Sequence, residues 1–245
     1  MNANKMPAED IKAGEISVEE VVARFSDPAA VADYAEGPVR FVPGLADLHR
    51  MAGVLLVEHA PEDARILVLG AGGGLELKAL AEAYPGWRFV GVDPAGAMLD
   101  LAERTLGPLA NRVELVQGYI DDAPEGPFDG AVCLLTLHFL DAAERTRTAE
   151  EIRRRLKPGA PFVAAHASCP QGEAEQDRWL SRYAAFAIAA GEEPERANKW
   201  RSVTAANRNL VLSPEKNAAI LQAAGFSEVA LFYAAFTWRG WVAYA

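Results

Sequence analysis

The stretch ILVLGAGGGLEL, residues 66–77, places four glycines within five positions, directly after an apolar run and directly before a helical pattern. A strand that ends in such a turn and opens a helix offers a ligand bare main-chain amides and the positive end of the helix, with no Cβ atoms in the way. That is a device for holding a nucleotide. The dinucleotide fingerprint G-x-G-x-x-G/A, begun at Gly70, requires a small residue at position 75, and Leu75 stands there. The pattern satisfied instead is G-x-G-x-G at Gly70, Gly72 and Gly74.

Outward from this loop the chain keeps one beat. The apolar runs RILVLG, RFVGVD, RVELVQGY, FDGAVCLLTLHFL and PFVAAHAS are interleaved with the helical patterns LELKALAEAYP, AGAMLDLAERTLG and TRTAEEIRRRLKPG. Strands without polar alternation, separated by helices, form a parallel sheet covered on both faces. A helical bundle does not fit, because FVGVD is too short for a helix and is flanked by turn residues. The closing runs SEVALFYAAF and WRGWVAYA are separated by little more than Thr237, which implies a terminal antiparallel pair. The fold class is therefore α/β: a doubly wound, mostly parallel, Rossmann-like sheet of seven strands, with a carboxyl-terminal antiparallel hairpin and a helical cap. Upstream, Ser17 and Glu20 in SVEEVVARF form a capping box, and a second helix is expected at residues 44–59. The stretch between His166 and Ser227 is mostly helical. Its last helix is marked by Ser213 at the N-cap, Pro214 at the first helical position and Gly225 at the carboxyl end.

A length of 245 residues with 51% hydrophobic content supports one large α/β core and leaves no surplus for a membrane span. The net charge, 24 minus 34 or −10, creates no global field that would gather phosphate backbones, so nucleic acid is a disfavoured partner. Two cysteines, Cys133 and Cys169, and an opening MNANKMPAED without a basic or apolar leader region point to a reducing cytoplasm. His49, His59, His138 and His166 show no zinc spacing, and no metal is expected. Arg153, Arg154, Arg155 and Lys157 precede Pro158 at a helix carboxyl end, where positive charge is favoured electrostatically.

FVGVD supplies the second chemical element. Asp93 follows Gly70 by 23 residues and stands where a carboxylate can accept both ribose hydroxyls of a nucleoside. It can also cap the helix that begins near Pro94, and the two roles are compatible. Met98 then lies near an adenine face, unless it is ordinary helix packing.

The segments VLGAGGG, GVDPAGAML, VQGYIDD, FDGAVCLLTLHFL and RRRLKPGAPFV, in this order, resemble the class I S-adenosylmethionine-dependent methyltransferases over nearly the whole chain. More narrowly, FVPGLADLHRMAGVLL, LTLHFL, KWRS and AGFSEVALFYAAF resemble the carboxy-S-adenosylmethionine synthases of tRNA wobble-uridine modification. The resemblance implies S-adenosylmethionine as cofactor, with carboxy-S-adenosylmethionine as the alternative. It implies a cofactor site of Gly70, Ala71, Gly72, Gly74, Asp93, Pro94, Met98, Tyr119, Ile120 and Leu135. It divides the single domain into amino-terminal cap helices (1–60), a cofactor-binding core (64–167), a helical insertion over the acceptor site (168–226) and the terminal hairpin (227–245). Two positions depart from the pattern. Where the resembled families carry an acid two residues before the first glycine, to receive the methionine ammonium, Val68 stands here. Where an acid often follows the glycine of VQGYIDD, Tyr119 stands, which leaves Asp121 or a backbone carbonyl to accept from the adenine amino group, or Asp121 as a solvated cap.

Methyl transfer from a sulfonium is an in-line displacement, so alignment and exclusion of water are the protein's main contributions. His138, read as the end of the fourth strand, is the candidate catalytic base, against a buried histidine bonded to a carbonyl. For the acceptor the candidates are Arg201, Tyr34, Trp200 and Trp238. In the resembled synthases an arginine of the Arg201 region engages the cofactor's extra carboxylate, and the bland alternative is a solvated helix charge. Trp200, Trp238 and Trp241, with Phe139, Tyr34 and Phe41, could roof the pocket, at most two of them touching the reaction. A small-molecule acceptor, apolar or aromatic, is expected. The alternatives are a carboxy-S-adenosylmethionine synthase and a non-catalytic binding protein. A homodimer stays open, because aromatics near the carboxyl terminus could bury against a second copy.

Overall fold

In the computed structural model, residues 17–31, 34 and 36–245 are described. The opening MNANKMPAED, with its leader reading, lies outside them. Ser17 caps helix α1 (Val18–Phe25): its hydroxyl accepts from the Glu20 amide, and the Glu20 carboxylate accepts from the Ser17 amide. Two short helices, α2 (Pro28–Val31) and α3 (Glu36–Phe41), lead into α4 (Leu45–Val57), which buries Leu48, Ala52 and Leu56.

The core sheet has strands β1 (Arg65–Leu69), β2 (Arg88–Asp93), β3 (Val113–Gln117), β4 (Gly130–Leu134), β5 (Pro161–Ala167), β6 (Ser227–Ala235) and β7 (Trp238–Tyr244), in the order β3-β2-β1-β4-β5-β7-β6. β1 to β5 are parallel; β7 runs antiparallel to β5 and β6 antiparallel to β7. The period-2 geometry of a strand explains the unbroken apolar runs. Ile66 and Val68 enter one buried layer while Leu67 and Leu69 enter the layer on the opposite face, so every position of the strand needs an apolar side chain. From β1 the chain winds outward through β2 and β3, then returns to place β4 on the other side of β1. The order of winding therefore reverses between β1 and β4, which opens a crevice at their carboxyl ends.

The remaining helices are α5 (Leu75–Ala83), α6 (Gly96–Leu106), α7 (Ala142–Arg155), α8 (Glu173–Ala189), α9 (Pro194–Ala206) and α10 (Pro214–Ala223). Ser213 caps α10 by accepting from the Lys216 amide, and Pro214 occupies the first turn. α10 packs on α7, β6 and β7, so it belongs to the layer on the sheet. α8 and α9 pack on each other, and α8 also packs on α3. The stretch 168–226 is thus part cap and part sheet cover.

The fourth strand stops at Leu134, short of the end that LTLHFL implies. Leu135 turns left-handed, with φ 57°, and Leu137–Phe139 forms a single 3-10 turn, so His138 projects from that turn and not from a strand. The basic run at the end of α7 is only partly a helix-end effect. Arg155 is buried, pairs with Glu151 and donates to the Ala123 carbonyl, while Lys157 pairs with Asp129. Among the described residues no helix is long and apolar enough to cross a membrane.

Candidate active site

The glycine loop after β1 is shaped by two close approaches. Gly70, at φ 75°, lies so near the β4 side of the crevice that a Cβ there would stand 2.0 Å from Thr136 Oγ1. Gly74, at φ 80°, precedes α5 and would carry its Cβ to 2.9 Å from the Ala102 backbone on α6. Bare main chain is therefore required by packing as well as by any ligand. Asp93, at the end of β2, fixes the loop: its Oδ2 accepts from the Gly72 amide at 2.9 Å and its Oδ1 from the Ala95 amide at 2.9 Å. The capping role expected of Asp93 is not realised: α6 starts at Gly96 with Ala95 as its N-cap, and Asp93 instead fixes the turn before it, where each oxygen keeps a further lone pair for a ligand. Burial raises the Asp93 pKa, opposed by the hydrogen bonds from Ala95 and Gly72.

Two adjoining chambers open here. The first, of about 570 Å³, is lined by Gly70, Gly72, Asp93, Pro94, Met98, Tyr119, Ile120 and Leu135, all expected, and by Glu76, His49 and Thr136, which were not. Ala71 and Gly74 do not line it. Ala71 is fully buried beneath the loop, and Gly74 serves the contact with α6. Tyr119 is 45% exposed at the rim, and its amide donates to Asp122 Oδ2. Asp121 is exposed at the mouth of the chamber and receives Arg147 Nη1 through both oxygens at 3.0 Å.

The second chamber, of about 220 Å³, lies under α8 and α9. Its wall includes Phe41, His138, Tyr183, Trp200, Trp238, Arg196 and Asn207. Phe25, Tyr34, Leu135 and Phe139 line both chambers and form the partition between them. Phe25 meets Tyr34 edge-on at 5.8 Å and Phe139 at 6.5 Å. Trp238 Nε1 donates to the Phe41 carbonyl at 2.9 Å, tying the terminal hairpin to α3. Trp200 carries the Arg24 guanidinium 4.9 Å from its ring centre. Trp241 is core: its ring meets His166 at a tilt, with centroids 4.9 Å apart, and it lines neither chamber. Arg201 also lines neither; Arg196, one and a half turns earlier on α9, does, and is paired to buried Glu192.

A buried polar system supports the floor. Arg145 is 1% exposed and donates to Asn217 Oδ1 and to the Leu140 and Leu210 carbonyls, at 3.0 Å and 2.9 Å for the last two; His166 Nε2 meets the same Asn217 oxygen at 3.0 Å. Burial lowers the Arg145 pKa to about 10. His138 is pushed down to about 3, first by burial and then by the Arg145 cation, and its Nδ1 has no hydrogen-bond partner. Its ring is therefore neutral at ordinary pH, able to accept a hydrogen bond and poor at storing a proton.

Glu76 escaped the sequence reading, although its spacing carried the signal. It stands four residues before buried Leu80 and next to buried Leu77, hence on the inner face of α5. Thr136 had no such signal, since the left-handed Leu135 that aims it is not encoded by a glycine.

The sequence profile of a methyltransferase domain matches residues 66–159. The carboxy-S-adenosyl-L-methionine synthase of Chromohalobacter salexigens is 28% identical over 230 residues, covering 91% of this chain and 84% of that protein. Among solved structures, an O-methyltransferase family protein of Burkholderia thailandensis superposes with a TM-score of 0.66 at 17% identity, over 93% of this chain and 62% of that one. Human N-acetylserotonin methyltransferase in complex with SAM gives a TM-score of 0.60 at 14% identity, over 95% and 63%. The chain spans less than two thirds of either solved protein, and these two likenesses are of fold.

Proposed function

We propose that the chain, whose residues 66–159 match a methyltransferase domain, is a class I S-adenosylmethionine-dependent methyltransferase that methylates a small, apolar or aromatic acceptor held in the second chamber. The observation that carries this reading is the pair of chambers sharing the Phe25, Tyr34, Leu135 and Phe139 partition, one walled by the glycine loop and Asp93, the other by aromatic side chains. The first fits the cofactor on its own chemistry. Main-chain amides and Asp93 suit a ribose, Met98 and Ile120 suit a base, and the buried Glu76 carboxyl suits a cation.

When bound, the cofactor supplies an electrophilic methyl on a sulfonium. The protein's own part is geometric and electrostatic. Phe25, Tyr34 and Phe139 keep water from the partition and offer aromatic faces to positive charge, an attraction of about 0.5–2 kcal/mol per ring. Tyr183, Trp200 and Trp238 restrict the acceptor to a flat or compact shape. His138, neutral and on the acceptor wall, accepts a hydrogen bond from an acceptor hydroxyl and orients its oxygen, while the proton leaves to solvent or a second base. Two buried, unpaired cysteines are in keeping with work in a reducing cytoplasm.

The name of the C. salexigens relative favours a second reading, carboxymethyl-cofactor synthesis. That chemistry asks for a cation on the added carboxylate. Arg201 stands off both walls, and Arg196 is already paired to Glu192, which is why methyl transfer is placed first. Mass spectrometry of ligand released from purified protein separates the two, since a cofactor heavier by one carboxyl group would establish the synthase reading. Titration with S-adenosylmethionine, followed by a screen of phenolic, amine and carbon acids for S-adenosylhomocysteine release, tests the first. Tight binding without transfer to any acceptor class would instead mark a non-catalytic binder.

A further inference from the structure

Glu76 is a buried carboxyl in search of a partner. It lies on the first turn of α5, immediately after the glycine loop, is 8% exposed, and lines the first chamber beside Gly72, Gly73 and Asp93. Every other carboxyl group on that wall is at the surface or engaged. Asp93 holds the Gly72 and Ala95 amides, Asp121 and Glu144 hold Arg147, Asp122 holds the Tyr119 amide, and Glu19 lies on exposed α1. Among the described residues Glu76 forms no ion pair; what it has is its own main-chain amide. Meanwhile Val68, where the resembled families place an acid for the ammonium of the cofactor's amino-acid tail, is fully buried and apolar.

We infer that Glu76 is the counter-charge for that ammonium, a role displaced across the glycine loop from β1 to the first turn of α5. This rests on the cofactor reading above and names a contact which that reading leaves open. The position is suited to an anion once a cation arrives, because α5 presents its positive end there. The titratable groups around it supply no cation. Asp93 is acidic, the Tyr34 phenol and the Cys133 thiol are raised by burial and by the charge of Glu76, and His49 on α4 is pushed down to about 4 by burial and is neutral. Burial, with Asp93 adding to it, accordingly raises Glu76 to about 8, and the ligand-free protein holds it protonated at neutral pH. Binding then proceeds as Glu76–COOH plus R–NH₃⁺ giving the Glu76–COO⁻···⁺H₃N–R pair and one proton released to solvent.

The test is calorimetric and independent of turnover. S-adenosylhomocysteine and its desamino analogue, which keeps the carboxylate and lacks only the amino group, are titrated at pH 7.0 in buffers of different ionisation enthalpy, into wild type and Glu76→Gln. The expected result is release of most of a proton when S-adenosylhomocysteine binds wild type. Glu76→Gln should lose that release and about 10- to 100-fold in affinity, a loss of about 1.4–2.8 kcal/mol. Affinity for the desamino analogue should differ less than about threefold between the two proteins. Glutamine matches the protonated acid in shape, so the fold is expected to persist, and thermal melting verifies it. Equal affinity of wild type and variant for S-adenosylhomocysteine, or equal loss for both ligands, overturns the assignment of Glu76 and leaves the cofactor reading standing. Failure of wild type to bind either ligand overturns the cofactor reading and this inference with it.

Discussion

Gly70 and Gly72 are both left-handed and two residues apart, yet the structure predicts that alanine at each fails for a different reason. At Gly70, φ is 75° and the new Cβ would stand 2.0 Å from Thr136 Oγ1, 2.6 Å from its Cγ2 and 2.7 Å from its Cβ. The backbone contributes about 1–2 kcal/mol of strain and the overlap about 1–3 kcal/mol, so Gly70→Ala is expected to lose about 2–5 kcal/mol of stability. At Gly72, φ is 49° and the nearest atoms to the new Cβ are Met98 Cε at 3.4 Å and Tyr34 Oη at 3.6 Å, ordinary contacts. Only the backbone cost of about 1–2 kcal/mol remains. The methyl, however, stands against two residues of the cofactor chamber, and affinity for S-adenosylhomocysteine should fall at least about tenfold. Denaturant titration of Gly70→Ala, Thr136→Gly and the double variant isolates the overlap, because the Thr136 bond to the Leu134 carbonyl is lost in both Thr136 arms and cancels. A coupling energy of about 1–3 kcal/mol is expected. Additivity within about 0.5 kcal/mol would refute the steric reasoning, as would a Gly72→Ala protein that binds as tightly as wild type.

Further outcomes follow from the same geometry. Arg145→Met leaves the Leu140 and Leu210 carbonyls without their buried donor and Asn217 Oδ1 with His166 alone, and chemical denaturation should show a loss of roughly 1–3 kcal/mol; a loss under about 0.5 kcal/mol would mean that water replaces the guanidinium easily. His138→Phe should reduce kcat/KM by about 10²-fold once an acceptor is in hand. With its pKa near 3, His138 contributes no inflection near pH 6.5 to the wild-type profile, so an inflection there that vanishes in the variant would contradict the orienting role. Because the raised pKa of Glu76 penalises the charged form in the fold, ligand-free wild type should lose stability relative to Glu76→Gln as pH rises from about 4.5 to about 8, with no further change above that range. Parallel stability curves over the range would contradict that burial.

The alternation of apolar runs with helical patterns was enough to read the sheet, because the parallel strands are apolar at nearly every position and their helices are periodic. Ser17, Ser213 and Pro214 likewise announce helix starts through chemistry confined to a few neighbouring residues. Sequence was weaker where long-range geometry decides. Leu135 takes a left-handed conformation that no glycine announces, and this moved His138 off the strand and brought Thr136 under Gly70. Arg201 and Arg196 are five residues apart on α9, and only the packing of α8 and α9 determines which meets the chamber. Trp241 reads like the other tryptophans, yet its pairing with Ala164 turns it into the core. The ion pair of Asp121 has no local signal because its partner, Arg147, is 26 residues away.

The central claim is that the crevice between β1 and β4 grips a sulfonium nucleoside through bare main chain and Asp93. A crystal structure grown with saturating S-adenosylhomocysteine addresses it directly. Ribose hydroxyls should lie within hydrogen-bond distance of Asp93, the base against Met98 and Ile120, and the sulfur should face the aromatic partition. Ligand density elsewhere, or an empty crevice at saturation, would contradict the account.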